Sequence, residues 1–174
     1  LRLIMDNVPA RVSSIDRDYK YRVVNRHNEE WLGESRNAIT GRHIAEVVGN
    51  ERANQLGPLL DRVLQGETVT TERELIQPDG ELRWESLHFA PKVDGEGVVT
   101  GIYAVHTDIH DQKRNEEELK RVNWMLSSHI NNTPLAVLEW DRDFKLVRWS
   151  PQAENIFGWI SSEIIGVPLD NSPL

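Results

Sequence analysis

Cysteine is absent from the 174-residue sequence, which excludes disulfides, thiolate metal sites and any flavin photochemistry that needs a cysteinyl adduct. No run of about 18 apolar residues occurs, so neither a membrane span nor a membrane contact is expected from these residues. Cations are in the minority: 20 Lys and Arg stand against 28 Asp and Glu, a formal charge of -8. Nucleic-acid surfaces usually carry clustered Lys and Arg, so this balance predicts no nucleic-acid partner. A glycine-rich nucleotide loop, a nucleophile–base pair and zinc-ligand spacing are also missing, and the chain is not read as an enzyme. A cytoplasmic setting is the simplest expectation, one that leaves room for an anchor upstream.

What the sequence does contain is a repetition. Asn7–Gly41 aligns without a gap on Asn132–Gly166, 125 residues later. Pro9 falls on Pro134, Asp16-Arg17-Asp18 on Asp141-Arg142-Asp143, Lys20 on Lys145, Gly33 on Gly158 and Gly41 on Gly166. Turn residues match while apolar positions drift, as expected of two copies of one backbone. The period is too long for a solenoid and fits a small domain plus a connector. A first unit of roughly 110 residues leaves the second copy broken off before its midpoint. With Leu1 in first place, the sequence reads as an excerpt from a longer protein.

The local patterns give an order of elements. Residues 1–8 read as the end of a short helix stopped by Pro9. Arg11–Asp16 and Lys20–Asn25 are β-rich and joined by a tight turn. Three short helical pieces follow, each closed by a glycine (Gly33, Gly41, Gly49) that accepts a left-handed backbone without steric cost. Glu51–Gln65 carries Leu56, Leu59, Leu60 and Val63 at helical spacing. Strands are expected at Thr68–Ile76, Glu81–Val93 and Val98–Thr107, separated by Pro78-Asp79-Gly80 and Asp94–Gly97 turns. A charged helix then runs from about Asp111 to Ile130. An α+β layer satisfies this order: a five-stranded antiparallel sheet with small helices on one face, followed by a linker helix.

At this point the chain resembles a PAS domain, the sensory module common in bacterial signalling proteins. The resemblance rests on "IDRDYKYRVVN", on "WLG" followed by "ITG", on "PDGELRWESLHFAP" and on "GIYAVHTDIHDQK". It divides the chain into a PAS domain (1–108), a signalling linker helix (109–131) and the first half of a second PAS domain (132–174). One departure is His110, where the family usually has Thr. The resemblance implies a sensory module that reads a small ligand or partner. It would relay the signal through the helix to a histidine kinase or a cyclic-dinucleotide enzyme, and the alternative is a ligand-free dimerisation module. Strand register carried over from flavin-binding relatives puts Leu75, Glu85, Leu87 and Phe89 on the concave face, together with Ile102, Ala104 and His106. Glu85 and His106 would be either a polar handle on a ligand or a buried pair with no ligand at all. Asp108 and Ile109 would anchor the exit helix.

Other constellations point to less. Haem-binding relatives place a His on the long helix, which has none here, and His43 lies one helix earlier, so haem is not expected. Non-covalent flavin stays open. "SHINNTPL" around His129 resembles the phospho-acceptor box of histidine kinases, but Ile130 and Asn132 replace the acidic and basic neighbours. The two Asp-Arg-Asp runs lack the glycine at the sixth place of a calcium loop, and His106 and His110 are not expected to share a metal. On the exit helix Leu119, Val122, Leu126 and His129 or Ile130 form a heptad-like stripe. This reads as a homodimer seam, working with the sheet, or as a face packed on the chain's own sheet.

Overall fold

The computed structural model describes residues 2–77, 79–168 and 170. It divides into two compact units, residues 1–113 and 114–174. The first contains α1 (Arg2–Asn7), β1 (Arg11–Asp16), β2 (Tyr21–Val24), α2 (Arg26–Leu32), α3 (Arg36–Ile39), α4 (Ile44–Val48), α5 (Asn50–Leu64), β3 (Val69–Ile76), β4 (Leu82–Val93) and β5 (Val99–Asp108). Helix α6 (His110–Asn132) crosses the division between the units. The five strands form one antiparallel sheet in the order β2-β1-β5-β4-β3. This is the α+β architecture expected from the sequence.

Alternation along the strands builds the core. In β3 the exposed Thr70, Glu72, Glu74 and Ile76 alternate with Val69, Thr71, Arg73 and Leu75, which turn inward. Leu87, Phe89, Ile102 and Ala104 meet Ile39 and Ile44 from the small helices and Leu56, Leu60 and Val63 from α5. All are buried, and each large side chain removed from water contributes roughly 1.5–3 kcal/mol. Strands β1 and β5 approach closely at Gly101: a Cβ there would lie 2.3 Å from the Ile15 carbonyl oxygen. Only glycine fits without shifting that strand.

Asn25 ties the hairpin to the first helix. Its Oδ1 accepts from Val12 N at 3.0 Å and from Asn28 N at 3.2 Å, so it caps α2 while closing β1. Its Nδ2 donates to the carbonyls of Met5 and Ala10 at 2.9 and 2.8 Å. All the polar capacity of this buried amide is satisfied, which is what makes a buried polar group tolerable.

The second unit contains β6 (Leu138–Trp140), β7 (Leu146–Trp149), α7 (Pro151–Phe157) and α8 (Ser161–Ile164). The sequence repeat is a repeat of bonds. Ser150 caps α7 as Asn25 caps α2, accepting from Val137 N and Ala153 N. Gly33 and Gly158 both close their helices in the left-handed region. Gly41 donates to Tyr21 O and Gly166 to Leu146 O, each at 2.7 Å. Leu146, Trp149, Ala153 and Ile164 form the small core of this unit.

Three helical details add to the sequence reading. Helix α3 ends at Ile39 with Thr40 as its cap, so Gly41 lies one place beyond the cap. Helix α5 tolerates Pro58 inside it. Helix α6 has no fully buried residue. Among the described residues no helix is long and apolar enough to cross a membrane.

Candidate functional site

Arg11 opens β1 on the phase that turns inward with Ser13 and Ile15, and strand pairing sets it opposite His106 on β5. Arg73 on β3 pairs directly with Glu85 on β4, and Leu87, two residues along, pairs with His106. Four polar side chains from four strands therefore converge at one end of the concave face. Glu85 is 1% exposed and accepts from two guanidiniums, Arg11 on Oε2 and Arg73 on Oε1, the latter at 2.8 Å. His106 Nδ1 stands 3.8 Å from Glu85 Oε2, beyond hydrogen-bond length, and has no other partner. The His106 ring meets Phe89 edge to face, centroids 5.7 Å apart. Arg11 lies over the Trp31 ring at 4.0 Å, with Arg52 over the same ring at 5.0 Å. Trp31 Nε1 donates to Gln77 Oε1 at 2.6 Å.

The charges respond to this packing. Burial pushes the Glu85 carboxyl up, but the imidazole of His106 and the two guanidiniums outweigh it and hold it at about 2. Burial pushes His106 below its ordinary value; Arg11 and Arg73 add to the fall, and Glu85 only partly opposes it. His106 is therefore a neutral imidazole near pH 7. The Tyr21 hydroxyl, facing the same interior, is pushed up to about 12 by burial and stays neutral.

Two cavities border the cluster. An interior void of about 30 Å³, touched by Arg11, Phe89, Arg73 and His106, has room for about one or two waters. It cannot take an isoalloxazine ring, so the residues present do not fit a flavin in the core. Beside it, an open cleft of about 510 Å³ is bordered by Arg11, Trp31, Arg83, Glu85, His106 and Asp108, among others. That volume falls within the range of small-molecule sites.

Of the residues singled out from the sequence, Glu85, His106 and Asp108 border the cleft, and Phe89 and His106 border the void. Leu75, Leu87, Ile102 and Ala104 are buried and border neither. Ile109 is buried and donates its N–H to Trp84 O at 3.0 Å. Asp108 Oδ1 accepts from His110 N at 2.8 Å at the start of α6, and Oδ2 accepts from Arg83 at 3.2 Å. Lys113 then pairs with Glu72 and lies over Trp84, fixing the first turn of α6 to the outer face of the sheet. His43 is engaged as the cap of α4, accepting from Ala45 N at 3.1 Å. Among the described residues no cluster of three or more His, Asp or Glu is arranged to hold a metal. Arg11, Trp31, Arg73 and Arg83 were not anticipated. The signal for Arg11 and Arg73 was a cation on the inward phase of a strand.

The family follows from sequence and fold together. The PAS-fold profile matches residues 5–114, and the chain belongs to the PAS-fold family, whose domains are generally sensory and regulatory. No curated protein matches the chain. Among solved structures it is similar to VqmA of Vibrio cholerae, described in a complex with ligand and DNA. Identity there is 18% and the TM-score 0.57, over 62% of this chain and 49% of that one. The chain thus spans about half the length of VqmA. It is also similar to the PAS domain of Bordetella pertussis BvgS, with 25% identity and a TM-score of 0.55, over 70% of this chain and 94% of that one. A third similar structure is an RNA-binding light-oxygen-voltage receptor, at 18% identity and a TM-score of 0.54, over 73% and 36%.

These likenesses correct one expectation. The acidic balance predicted no nucleic-acid partner, yet chains sharing this fold include a receptor held on DNA and one that binds RNA. The physical reason is that net charge averages over the residues counted. A contact made by another part of a longer protein leaves no trace in that average.

Proposed function

We propose that residues 1–108 form a ligand-sensing PAS domain whose cleft controls the start of α6. Residues 109–131 would then relay the signal, and residues 132–174 would open a second PAS unit. One observation carries this reading: Asp108 borders the cleft and also accepts the N–H that begins α6. Arg83, on the same cleft, is shared between Asp108 and Glu81. A molecule that engages Arg83 or Asp108 competes for the bonds that hold the helix start. It shifts the equilibrium only as far as it binds one arrangement better than the other. The setting is cytoplasmic. The effector is a histidine kinase, a cyclic-dinucleotide enzyme or, by likeness to VqmA, a DNA-binding module.

Removing this acceptor tests the coupling. Asp108→Ala is expected to cost about 1 kcal/mol at the helix start and to speed amide exchange at His110 about fivefold, read by hydrogen–deuterium exchange. A molecule that fills the cleft is expected to change exchange over 109–113 as well. Protection confined to the cleft, with those amides unaltered, would remove the relay.

A second reading is a dimerisation module without a ligand. It is favoured by α6, which buries no residue and exposes Leu119, Val122, Met125 and Leu126. Sedimentation of the unliganded chain separates the two. A dimer whose melting temperature no small molecule raises supports the second reading, and a ligand-dependent change in association supports the first.

A further inference from the structure

We infer that the cleft is built for a small zwitterion, an amino-acid-like molecule that enters carboxylate first. The inference rests on the sensory reading above and names the chemistry of its ligand.

The inner end of the cleft carries an unbalanced cation. Arg11 and Arg73 share the single carboxylate of Glu85, so two positive charges meet one negative charge. The Arg11 side chain is only 13% exposed, and a cation kept from water without a full counter-charge is costly. Tyr21 does not supply the missing charge, because its hydroxyl stays neutral. A ligand carboxylate does.

Hydrogen bonding agrees with the charge. Among the described residues five buried side-chain polar atoms lack a partner, and two of them, His27 Nδ1 and His106 Nδ1, belong to residues that border this cleft. Such orphans call for an explanation in a native fold. Each imidazole, in the tautomer with its proton on Nδ1, is a donor that lacks an acceptor. A carboxylate seated beside Arg11 would bring acceptor oxygens to this part of the cleft.

The rim has the opposite sign. Glu30, Asp79 and Asp108 border it. Arg26 pairs with Glu30, and Arg83 is shared by Asp108 and Glu81, which leaves the rim net negative. Asp79 is the bordering carboxylate that has no ion pair among the described residues. A simple anion meets repulsion on the way in, and a simple cation meets it at the inner end. A molecule with a carboxylate at one end and an ammonium at the other satisfies both, and about 510 Å³ accommodates one.

The test is calorimetric titration of the full chain with glycine, 4-aminobutyrate, 6-aminohexanoate and L-leucine. Each is compared with its N-acetyl and methyl-ester derivatives. Saturable binding by at least one zwitterion is expected, with both derivatives about tenfold weaker or more. Asp79→Asn changes an exposed rim residue, so its melting temperature should match the parent while affinity for the zwitterion falls several-fold. Arg11→Gln endangers the fold, so Asp79→Asn decides. Equal binding of the acetylated forms overturns the zwitterion in favour of an anion site and leaves the sensory reading intact. Binding only by uncharged probes, pyrazine and indole, does the same in favour of an apolar ligand. Absence of binding across the zwitterion series overturns the inference outright.

Discussion

Glu85→Ala is expected to destabilise the first unit by about 3–5 kcal/mol, the largest effect of any single polar substitution here. The substitution leaves Arg11 and Arg73 facing each other at the end of the concave face with no carboxylate between them. Urea denaturation of the variant against the parent measures the loss, and a drop below about 1 kcal/mol would show that solvent already neutralises the guanidiniums. Acid should reproduce part of the effect. The Glu85 carboxyl falls from an ordinary 4.5 when unfolded to about 2 when folded. Its contribution is therefore fully present above pH 4.5 and is lost as the pH falls toward 2. The full shift corresponds to about 3 kcal/mol. Other carboxylates titrate in the same window, so the informative quantity is the difference between the parent and Glu85→Gln. That difference should shrink steadily from pH 5 to pH 2.

Phe89→Ala is expected to cost about 3–5 kcal/mol. Phe89 is 1% exposed, lies in the main core and supports the His106 ring from its edge. Deleting it should join a new apolar space to the void of about 30 Å³ already beside it. Arg11, Arg73 and His106 border that void, so the enlarged space admits water. Thermal denaturation of the variant against the parent measures the loss. If the variant melts as the parent does, the core has closed over the gap and the void is not a fixed property of the fold.

Legibility in the sequence followed the range of the physics. The hairpins were readable because their turns are local: Asp79-Gly80 and Asp94–Gly97 carry the chemistry in adjacent residues. The core strands were readable because alternation fixes which side chains turn inward. Leu87, Phe89, Ile102 and Ala104 all belong to the main core. The cleft was not readable in the same way. It is assembled from the entry to β1, helix α2, the β3–β4 turn and the ends of β4 and β5. Nothing within any one segment indicates the others. Arg11 and Arg73 carry no apolar signal at their inward positions, although a cation on that phase needs a partner and Glu85 supplies it. The nucleic-acid expectation failed for a similar reason, since a whole-chain charge has no location.

The paired turns have a use of their own. Tyr19 and Phe144 both hold a left-handed backbone, φ 58° and 57°, where an aromatic residue is uncommon. In each turn the Asp three residues earlier accepts from two backbone N–H groups, Asp18 and Lys20 in one case, Asp143 and Lys145 in the other, all at 2.9 Å. The same torsion recurs with Tyr19 half-buried and Phe144 exposed, so it does not depend on burying the ring. Besides the loop's own bonds, both turns share a bridge from the next lysine, Lys20 to His43 and Lys145 to Pro168. Asp-Arg-Asp-aromatic-Lys is thus a cassette used twice. Grafted between the strands of an unrelated hairpin, it should carry its geometry with it and offer designers a reversing segment free of glycine and proline.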